Sequence, residues 1–258
     1  MLLVIDVGNT NTGLGVFDGR RLIVSWRLAS RREQTADEYG VFIQSLLQTQ
    51  GIERGRIKAI AISNVVPPVQ QTLEGMCEKY FGIRPFSVEP GVNVQMTLRV
   101  ESPQEVGPDR VVNAVAAVAL YGPPLIVIDF GTATTFDCVN GRGEFIGGAI
   151  APGIAASAEA LTSKAARLYR VELVRPKEAI GRNTVTNIQS GLVYGYASLV
   201  DGLVGRLRAE MDGDPKVIAT GGLAPLIQEA ARSIQQVNPD LTLEGLRLVW
   251  EQAHPGGP

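Results

Sequence analysis

Apolar residues at the start of the chain follow the spacing of β-strands. Met1 to Ile5 is apolar throughout, and Arg21 to Leu28 alternates apolar with polar residues. These patterns predict a buried strand and a half-buried strand. Asp18-Gly19-Arg20 lies before the second of these segments and predicts a type I′ hairpin. The chain therefore opens with neighbouring strands.

From Ala36 onward the apolar residues recur at helical spacing, and helices then alternate with strands. In the first half the pattern predicts a helix at Ala36 to Gln48, a strand at Ile57 to Val66, a helix at Pro68 to Phe81, a short strand at Arg84 to Val88, an irregular stretch at Glu89 to Glu105 and a helix at Asp109 to Tyr121. In the second half, after a strand and a hairpin, it predicts helices at Ala155 to Tyr169 and Thr184 to Met211, a strand at Lys216 to Thr220, a helix after Gly222 and a short strand or helix at Leu243 to Trp250. Such alternation is typical of α/β folds.

One pattern occurs twice, once in each half of the chain. Val4 to Thr12 and Val127 to Thr135 are each an apolar strand that ends in Asp-x-Gly followed by small hydroxyl or amide residues. Asn140-Gly141-Arg142 follows the second copy much as Asp18-Gly19-Arg20 follows the first, and it also predicts a type I′ hairpin. The repeat predicts two similar domains that face each other across a nucleotide cleft. We place an N-terminal domain at residues 1–115, a C-terminal domain at 116–250 and a disordered tail at 251–258.

The chemistry of the repeated loops suits a nucleoside triphosphate. Glycine lets the backbone approach a ligand, so that N–H groups and neighbouring side chains can surround phosphate oxygens. Asp6 and Asp129 would repel phosphate directly and are better placed to hold a hydrated Mg²⁺, or another cation, that bridges protein and triphosphate. A single Asp-x-Gly also fits an ordinary turn, but two copies favour phosphate binding. The side chains available for it are Asn9, Thr10 and Asn11 in the first loop and Thr132, Thr134 and Thr135 in the second.

Other nucleotide-binding and catalytic motifs are missing from the sequence. It contains neither G-x-x-x-x-G-K-[ST] nor a G-x-G-x-x-G that opens a helix after a strand, which excludes the P-loop and the dinucleotide fingerprint. Asp129-Phe130-Gly131 spells the magnesium motif of protein kinases, but their H-R-D loop is absent. The only histidine is His254, which also excludes Ser-His-Asp triads and histidine-ligated zinc sites.

Composition and charge narrow the class of protein and of partner. The 258 residues are 45% hydrophobic and carry a formal charge of −2, without a lysine or arginine block. This charge argues against nucleic acid or an anionic membrane as the main partner, and the strand-length apolar runs argue against a membrane span. The N-terminus lacks the features of a signal peptide, so we expect a cytoplasmic protein. Cys77 and Cys138 are expected to be buried, reduced thiols.

Three further segments add candidate site residues, each with a structural alternative. Gly221-Gly222 ends an apolar strand where a base or ribose could lie against the backbone, but a tight strand-to-helix turn needs the same residues. In Gly107-Pro108-Asp109-Arg110, the aspartate suits a base for a hydroxyl and the arginine suits a clamp for an anionic acceptor. The alternative is that Asp109 is only an N-cap and Arg110 only a surface charge. Gly181 to Thr184 leads into the long helix, with Thr184 as a natural cap.

Seven motifs together resemble, in order and spacing, the type III pantothenate kinases of bacteria. They are Asp6 to Asn11, Ile62 to Pro67, Gly107 to Arg110, Asp129 to Thr135, Gly147 to Gly153, Gly181 to Thr184 and Thr220 to Gly222. The resemblance implies a member of the acetate and sugar kinase, Hsp70 and actin superfamily, with two duplicated ribonuclease H-like (actin-like ATPase) domains. Such a duplication would explain the internal repeat.

The resemblance also implies a reaction and a role for individual residues. Pantothenate would be phosphorylated by Mg-ATP to 4'-phosphopantothenate, the first step of coenzyme A biosynthesis, with Asp109 as the proton acceptor for the primary hydroxyl. Asp129 resembles the residue that binds a monovalent cation, potassium or ammonium, and Asp6 would hold Mg²⁺ through water. Pantothenate would contact Gly107, Pro108, Asp109, Arg110 and Thr184. ATP would contact Asp6, Val7, Gly8, Asn9, Thr10, Asn11, Thr12, Gly13, Thr132, Gly221 and Gly222.

The implied enzyme is a homodimer, and two rival interpretations stay open. One is another small-molecule kinase of the superfamily, in which the stretch from Glu89 to Glu105 admits a different alcohol. The other is a non-enzymatic regulator that kept the ATP fold and lost the chemistry. The intact set of Asp6, Asp109 and Asp129 argues against the regulator.

Overall fold

The computed structural model describes residues 1–164 and 168–256, which divide into two compact units. The N-terminal unit comprises residues 1–96 and 102–116 together with the segment from Thr242 onward, and the C-terminal unit comprises residues 97–101 and 117–241. The crossing at 116/117 differs from the predicted boundary at 115/116 by a single residue, and the chain also crosses between the units at 96/97 and 101/102. The last helix, by contrast, belongs to the N-terminal unit and not, as predicted, to the C-terminal domain.

Strands and helices alternate along the described chain. The strands are β1 Leu2–Val7, β2 Asn11–Asp18, β3 Arg21–Ala29, β4 Ala59–Asn64, β5 Phe86–Ser87, β6 Leu125–Phe130, β7 Ala133–Val139, β8 Phe145–Pro152, β9 Lys216–Thr220 and β10 Gln236–Val237. The α-helices are α1 Ala36–Thr49, α2 Gln70–Phe81, α3 Pro108–Tyr121, α4 Ile154–Lys164, α5 Thr184–Ala209, α6 Ala224–Gln228 and α7 Leu241–Ala253. Single turns of 3₁₀-helix lie at Arg54–Arg56, Pro67–Val69 and Pro103–Glu105.

The two units repeat one sheet topology, as the sequence repeat predicts. Their five-stranded sheets have the orders β3-β2-β1-β4-β5 and, in the equivalent direction, β8-β7-β6-β9-β10. In each sheet the central strand pairs antiparallel with the strand that follows it and parallel with a later strand: β1 with β2 and β4, and β6 with β7 and β9. The loop that follows each central strand therefore lies at the same edge of its sheet.

Each sheet buries an apolar face against helices of its own unit. In the N-terminal unit, Ile5 and Leu14 of the sheet share a core with Ile43 of α1 and Leu73 of α2. In the C-terminal unit, the core joins the sheet to α5 and α6. The beginning of α1 is fixed by a capping box, in which the Thr35 hydroxyl accepts from the Glu38 N–H and the Glu38 carboxylate accepts from the Thr35 N–H.

Both hairpins differ from the predicted type I′ turns. A type I′ turn needs a positive φ at both central residues. In the first hairpin only Gly19 has one, at +55°, and Arg20 does not. In the second, the left-handed residue is Gly143, at +77°, and its N–H donates to the carbonyl of Asn140 at 2.9 Å. The sequence predicted the positions of both turns correctly. Their geometry differs from type I′ because each turn has a single residue with positive φ, which is a glycine.

The other differences lie mainly toward the C-terminus. Residues 165–167, within the predicted helix at 155–169, lie outside the described residues, as do residues 257–258 of the predicted tail. The remainder of that tail is not irregular throughout, because α7 continues to Ala253 and Glu251 pairs with Arg247 at 2.7 Å. Both cysteines are buried free thiols, as predicted, and burial raises the pKa of Cys77 to about 12. Within the described residues, none of the helices combines the length and the apolar character needed to span a bilayer.

A pair of glycine substitutions tests how α1 packs on α2. A Cβ on Gly40 of α1 would overlap the ring of Tyr80, whose hydroxyl is held by the Asp37 carboxylate at 2.7 Å. We therefore expect Gly40→Ala to lower the free energy of unfolding by about 1–3 kcal/mol through overpacking. Gly75 of α2 has open space around an added Cβ, so Gly75→Ala should raise it by roughly 1 kcal/mol. Urea unfolding of both variants measures the two effects, and shifts of the same sign would contradict this packing.

Candidate active site

The first phosphate loop follows β1 in the N-terminal unit. Asp6 is half-buried near the end of the strand, paired in register with Gly13 on β2 and Ser63 on β4. The loop is closed by a hydrogen bond from the Gly8 N–H to the Asn11 carbonyl at 3.0 Å. This closure leaves the side chains of residues 9–11 exposed beside the carboxylate. A loop of this kind offers amide and hydroxyl groups to phosphate oxygens.

Two residues of the predicted ATP loop have buried side chains. Val7 is in the core, and Thr12 is 1% exposed, with its hydroxyl 2.8 Å from that of Ser30. Neither side chain can reach a ligand in this conformation, so any contact with ATP would come from their backbone atoms. Thr12 fixes the base of the loop to the chain after β3, where the Ser30 N–H also donates to the Thr10 carbonyl at 2.9 Å.

The second loop, after β6 in the C-terminal unit, repeats this arrangement. Asp129 is paired in register with Thr135 on β7 and Thr220 on β9. The Gly131 N–H donates to the Ala133 carbonyl at 3.0 Å, so that Thr132 lies exposed at the tip of the loop. The hydroxyl of Thr134, in contrast, is fully buried and makes no hydrogen bond within the protein.

Two glycines pack directly against the second loop. Gly221 has φ +90°, and a Cβ at this position would lie 2.6 Å from Asp129 Oδ1 and 2.6 Å from the Phe130 carbonyl oxygen. Gly153 donates its N–H to the Thr132 carbonyl at 3.1 Å, and a Cβ there would overlap the same carbonyl. Gly153 was not among the predicted site residues, although it ends one of the seven motifs. Both positions therefore require glycine, because a side chain would displace the second loop.

Asp109 lies inside the first turn of α3 and is not its N-cap. The helix begins at Pro108, and the Gly107 carbonyl accepts the first helical hydrogen bonds, from the N–H groups of Arg110 at 3.1 Å and Val111 at 3.3 Å. Asp109 Oδ1 accepts from the Arg110 N–H at 2.8 Å. Burial raises the pKa of the Asp109 carboxyl above its ordinary value of 3.8, while this hydrogen bond and the Arg110 guanidinium oppose the rise. The structure thus removes the capping alternative.

Thr184 is the first residue of α5, and its neighbour Asn183 is the cap. The Asn183 side chain accepts from the Thr186 N–H at 2.9 Å, and the Thr186 hydroxyl accepts from the Asn183 N–H at 3.3 Å. The prediction of Thr184 as the cap was therefore wrong by one residue. Asn and Thr side chains can both cap a helix, so the sequence alone did not distinguish the two neighbours. Thr184 is exposed and lines a mainly apolar cavity of about 500 Å³, together with Leu161, Leu168, Asn187, Ile188, Gly191 and Leu192.

The predicted site residues divide between the two units. The N-terminal unit holds the loop from Asp6 to Gly13 and the turn from Gly107 to Arg110, and the C-terminal unit holds Asp129, Thr132, Gly221, Gly222 and Thr184. Among residues 1–164 and 168–256 no three His, Cys, Asp or Glu side chains form a metal-binding group. A single carboxylate is nevertheless a suitable ligand for Mg²⁺ that keeps its waters and binds substrate phosphates.

Comparison with known proteins finds one family that matches most of the chain. The sequence model of the family described as type III pantothenate kinase matches residues 2–206. The type III pantothenate kinase of Myxococcus xanthus is 50% identical over 254 residues, covering 98% of this chain and 99% of that protein. That of Anaeromyxobacter sp. strain K is 52% identical over 252 residues, covering 98% and 99%. In fold, the chain is similar to the ADPNP-bound activator of 2-hydroxyisocaproyl-CoA dehydratase from Clostridium difficile, with a TM-score of 0.59, 14% identity and coverage of 98% and 95%.

Proposed function

The chain belongs to the type III pantothenate kinase family and is therefore a kinase that phosphorylates pantothenate in coenzyme A biosynthesis; within this reaction, we propose that Asp109 is the general base. The observation that carries the proposal is the position of Asp109 in the first turn of α3, half-buried and held by the Arg110 N–H. The fold of the chain is the duplicated actin-like α/β fold that the sequence predicted.

The environment of Asp109 suits a carboxylate that takes up a proton late in phosphoryl transfer. The transition state is loose, so the base mainly orients the hydroxyl and accepts its proton as the bond to phosphorus forms. Burial raises the pKa of Asp109, which makes its carboxylate a stronger base than an exposed aspartate. The Arg110 guanidinium opposes this rise in the pKa, because a nearby positive charge favours the charged carboxylate.

We assign the contacts with ATP to the two loops and to Gly221 and Gly222. The exposed amide and hydroxyl side chains of residues 9–11, together with Thr132, would bind phosphate oxygens. The Asp6 carboxylate would hold Mg²⁺ through water. When bound, this ion neutralises charge that develops on the β- and γ-phosphates. Val7 and Thr12 support the first loop from the core.

Asp129 is the proposed ligand of the monovalent cation. The residue packed against its carboxylate is Gly221, where any side chain would lie within 2.6 Å of Oδ1. A side chain at this position would displace the carboxylate, so the glycine is needed to keep Asp129 in place near the end of β6. An anionic oxygen at a strand end is a suitable donor for potassium or ammonium. The role of the cation would be electrostatic, close to the phosphates of ATP.

Pantothenate is proposed to contact the turn from Gly107 to Arg110 and Thr184. Arg110 is only partly exposed, and its guanidinium can pair with the substrate carboxylate. The apolar cavity beside Thr184 suits the hydrocarbon part of the molecule. We further propose that the enzyme acts in the cytoplasm, where its substrate ATP is available, and that it is a homodimer like the family that it resembles.

Replacing Asp109 by asparagine tests its role. Asp109→Asn should reduce pantothenate-dependent ADP release by roughly 10²- to 10⁴-fold and leave MgADP binding unchanged, because the nucleotide contacts lie elsewhere. Stability should not fall at neutral pH. A raised pKa means that the folded protein binds the proton more tightly than the unfolded chain, so the charged carboxylate destabilises the fold above that pKa. Turnover, calorimetry and thermal unfolding measure the three effects.

Asp212→Asn is the control, since it removes an exposed carboxylate of the C-terminal unit and should leave turnover unchanged.

The pH dependence of the unmodified enzyme tests the same role. Its kcat/KM should fall as the pH drops through the raised pKa of Asp109, hence at a higher pH than the ordinary aspartate pKa of 3.8. Wild-type turnover of Asp109→Asn would refute the assignment.

Replacing Asp129 by asparagine tests the cation site. Without the carboxylate the cation loses its charged ligand, so Asp129→Asn should need at least about 10-fold more potassium for half-maximal activity. Activity is measured against potassium at constant ionic strength, with sodium as the balancing ion and Asp212→Asn as the control. A potassium curve that matches the wild type would argue against this role for Asp129.

The proposed homodimer has a direct test. Light scattering of the purified protein should give twice the chain mass of 27.6 kDa at concentrations used for assay. A mass of one chain throughout that range, with full pantothenate kinase activity, would show that the enzyme works as a monomer.

A further inference from the structure

The last helix of the chain packs on the unit that contains Asp6 and Asp109. Leu243 of α7 lies against the β1–β2 hairpin, where its side chain would be 3.7 Å from a Cβ on Gly13 and 3.2 Å from one on Gly15. The absence of side chains at these two positions makes room for α7 on the Asp6 face of the sheet. The helix is therefore in contact with the strand that begins directly after the phosphate loop.

The same helix approaches α3 closely at Gly245. A Cβ on Gly245 would overlap the carbonyl oxygen of Val112 and would lie 3.1 Å from the Val112 Cβ. This carbonyl belongs to the backbone of α3, about one turn after Asp109. Only glycine permits this approach, because the clash would be with main-chain atoms that cannot rotate away.

A buried hydrogen bond joins the two helices next to this contact. The Thr242 hydroxyl donates to Asn113 Oδ1 at 2.7 Å, and Asn113 is 1% exposed. Asn113 lies four residues after Asp109, so both side chains project from the same face of α3. The bond between Thr242 and Asn113 therefore joins α7 to the face of α3 that carries Asp109.

We propose that α7 sets the position of the Asp109 carboxylate, with Thr242 and Asn113 as positioning residues. Thr242 fixes the orientation of the Asn113 amide, since only its oxygen can accept from the hydroxyl and its two N–H donors must then point in another direction. Gly245 sets the distance between the helices. The inference rests on the proposed role of Asp109 as the base.

Simple core packing explains this polar pair poorly. A part-buried pair of hydroxyl and amide gains little net stability over apolar side chains of the same shape, and either group alone is costly if it is left unsatisfied. The gain is instead in geometry, because a directional bond fixes the rotation of one helix against another. Misplacement of a catalytic group by about 1 Å can cost 10²-fold in rate.

Thr242→Val and Thr242→Ser are the matched test. Thr242→Val keeps the shape and removes the hydroxyl, so kcat should fall about 10-fold while the KM for ATP changes less than about 2-fold. Thr242→Ser keeps the donor and should restore most of kcat. Asn113→Ala is the second variant, with the same split expected, in case Thr242→Val folds poorly. Pantothenate-dependent ADP release gives both parameters.

Two controls separate this inference from general stability and from the role of Asp109. Glu251→Gln breaks the ion pair with Arg247 on α7 and should leave kcat unchanged. In an Asp109→Asn background, Thr242→Val should cause no further loss of kcat. If Thr242→Val lowers only the melting temperature, or if Thr242→Ser is as slow as Thr242→Val, the positioning role is overturned and that of Asp109 stands. If Asp109→Asn retains turnover, the proposed base fails first.

Discussion

Both candidate nucleotide loops depend on one constraint, which is close packing by glycine at the end of a central strand. Gly13 pairs with Asp6 across the first sheet, and Gly221 packs against the Asp129 carboxylate in the C-terminal unit. A Cβ on Gly221 would lie 2.6 Å from Asp129 Oδ1, so a side chain there would displace the carboxylate. The two environments differ in detail, because Asp129 pairs in register with Thr135 where Asp6 pairs with Gly13. The units share the sheet topology, which places an aspartate near the end of each central strand.

The sequence predicted these loops because their determinants are local. Asp-x-Gly after an apolar strand, repeated in the second half, needs no knowledge of tertiary contacts. The similarity of the two units followed from the repeat, and the bounds of α1 followed from its helical periodicity to within one residue. In contrast, the cap of α5 was predicted one residue too late. Asn183 and Thr184 are adjacent, and both types of side chain are favoured at an N-cap. The turn types of the hairpins likewise could not be predicted from the dipeptides Asp18-Gly19 and Asn140-Gly141 alone.

The role of α7 was not predictable for a physical reason. Its partners Asn113 and Gly13 are separated from it by half of the chain or more. Periodicity predicts which face of a helix is buried, but it does not predict which element covers that face. Asn113 gave no signal as a polar residue within the Val and Ala pattern of α3. Gly153, which closes onto the second loop, was visible only as part of a motif. The positions of α7, Asn113 and Gly153 depend on contacts between segments that are distant in the sequence.

Because α7 follows the whole C-terminal unit in the sequence, the N-terminal unit is completed only after that unit has been synthesised. Its sheet and α3 leave the ribosome first, and Thr242 and Gly245 come later. At about 5–20 residues per second, the delay is on the order of 10 s. Throughout that time the nascent chain exposes the apolar surface that Leu243 and Leu246 later cover. The nascent N-terminal unit is thus a natural client for chaperones, and the geometry proposed for Asp109 forms only after the C-terminal unit has been made.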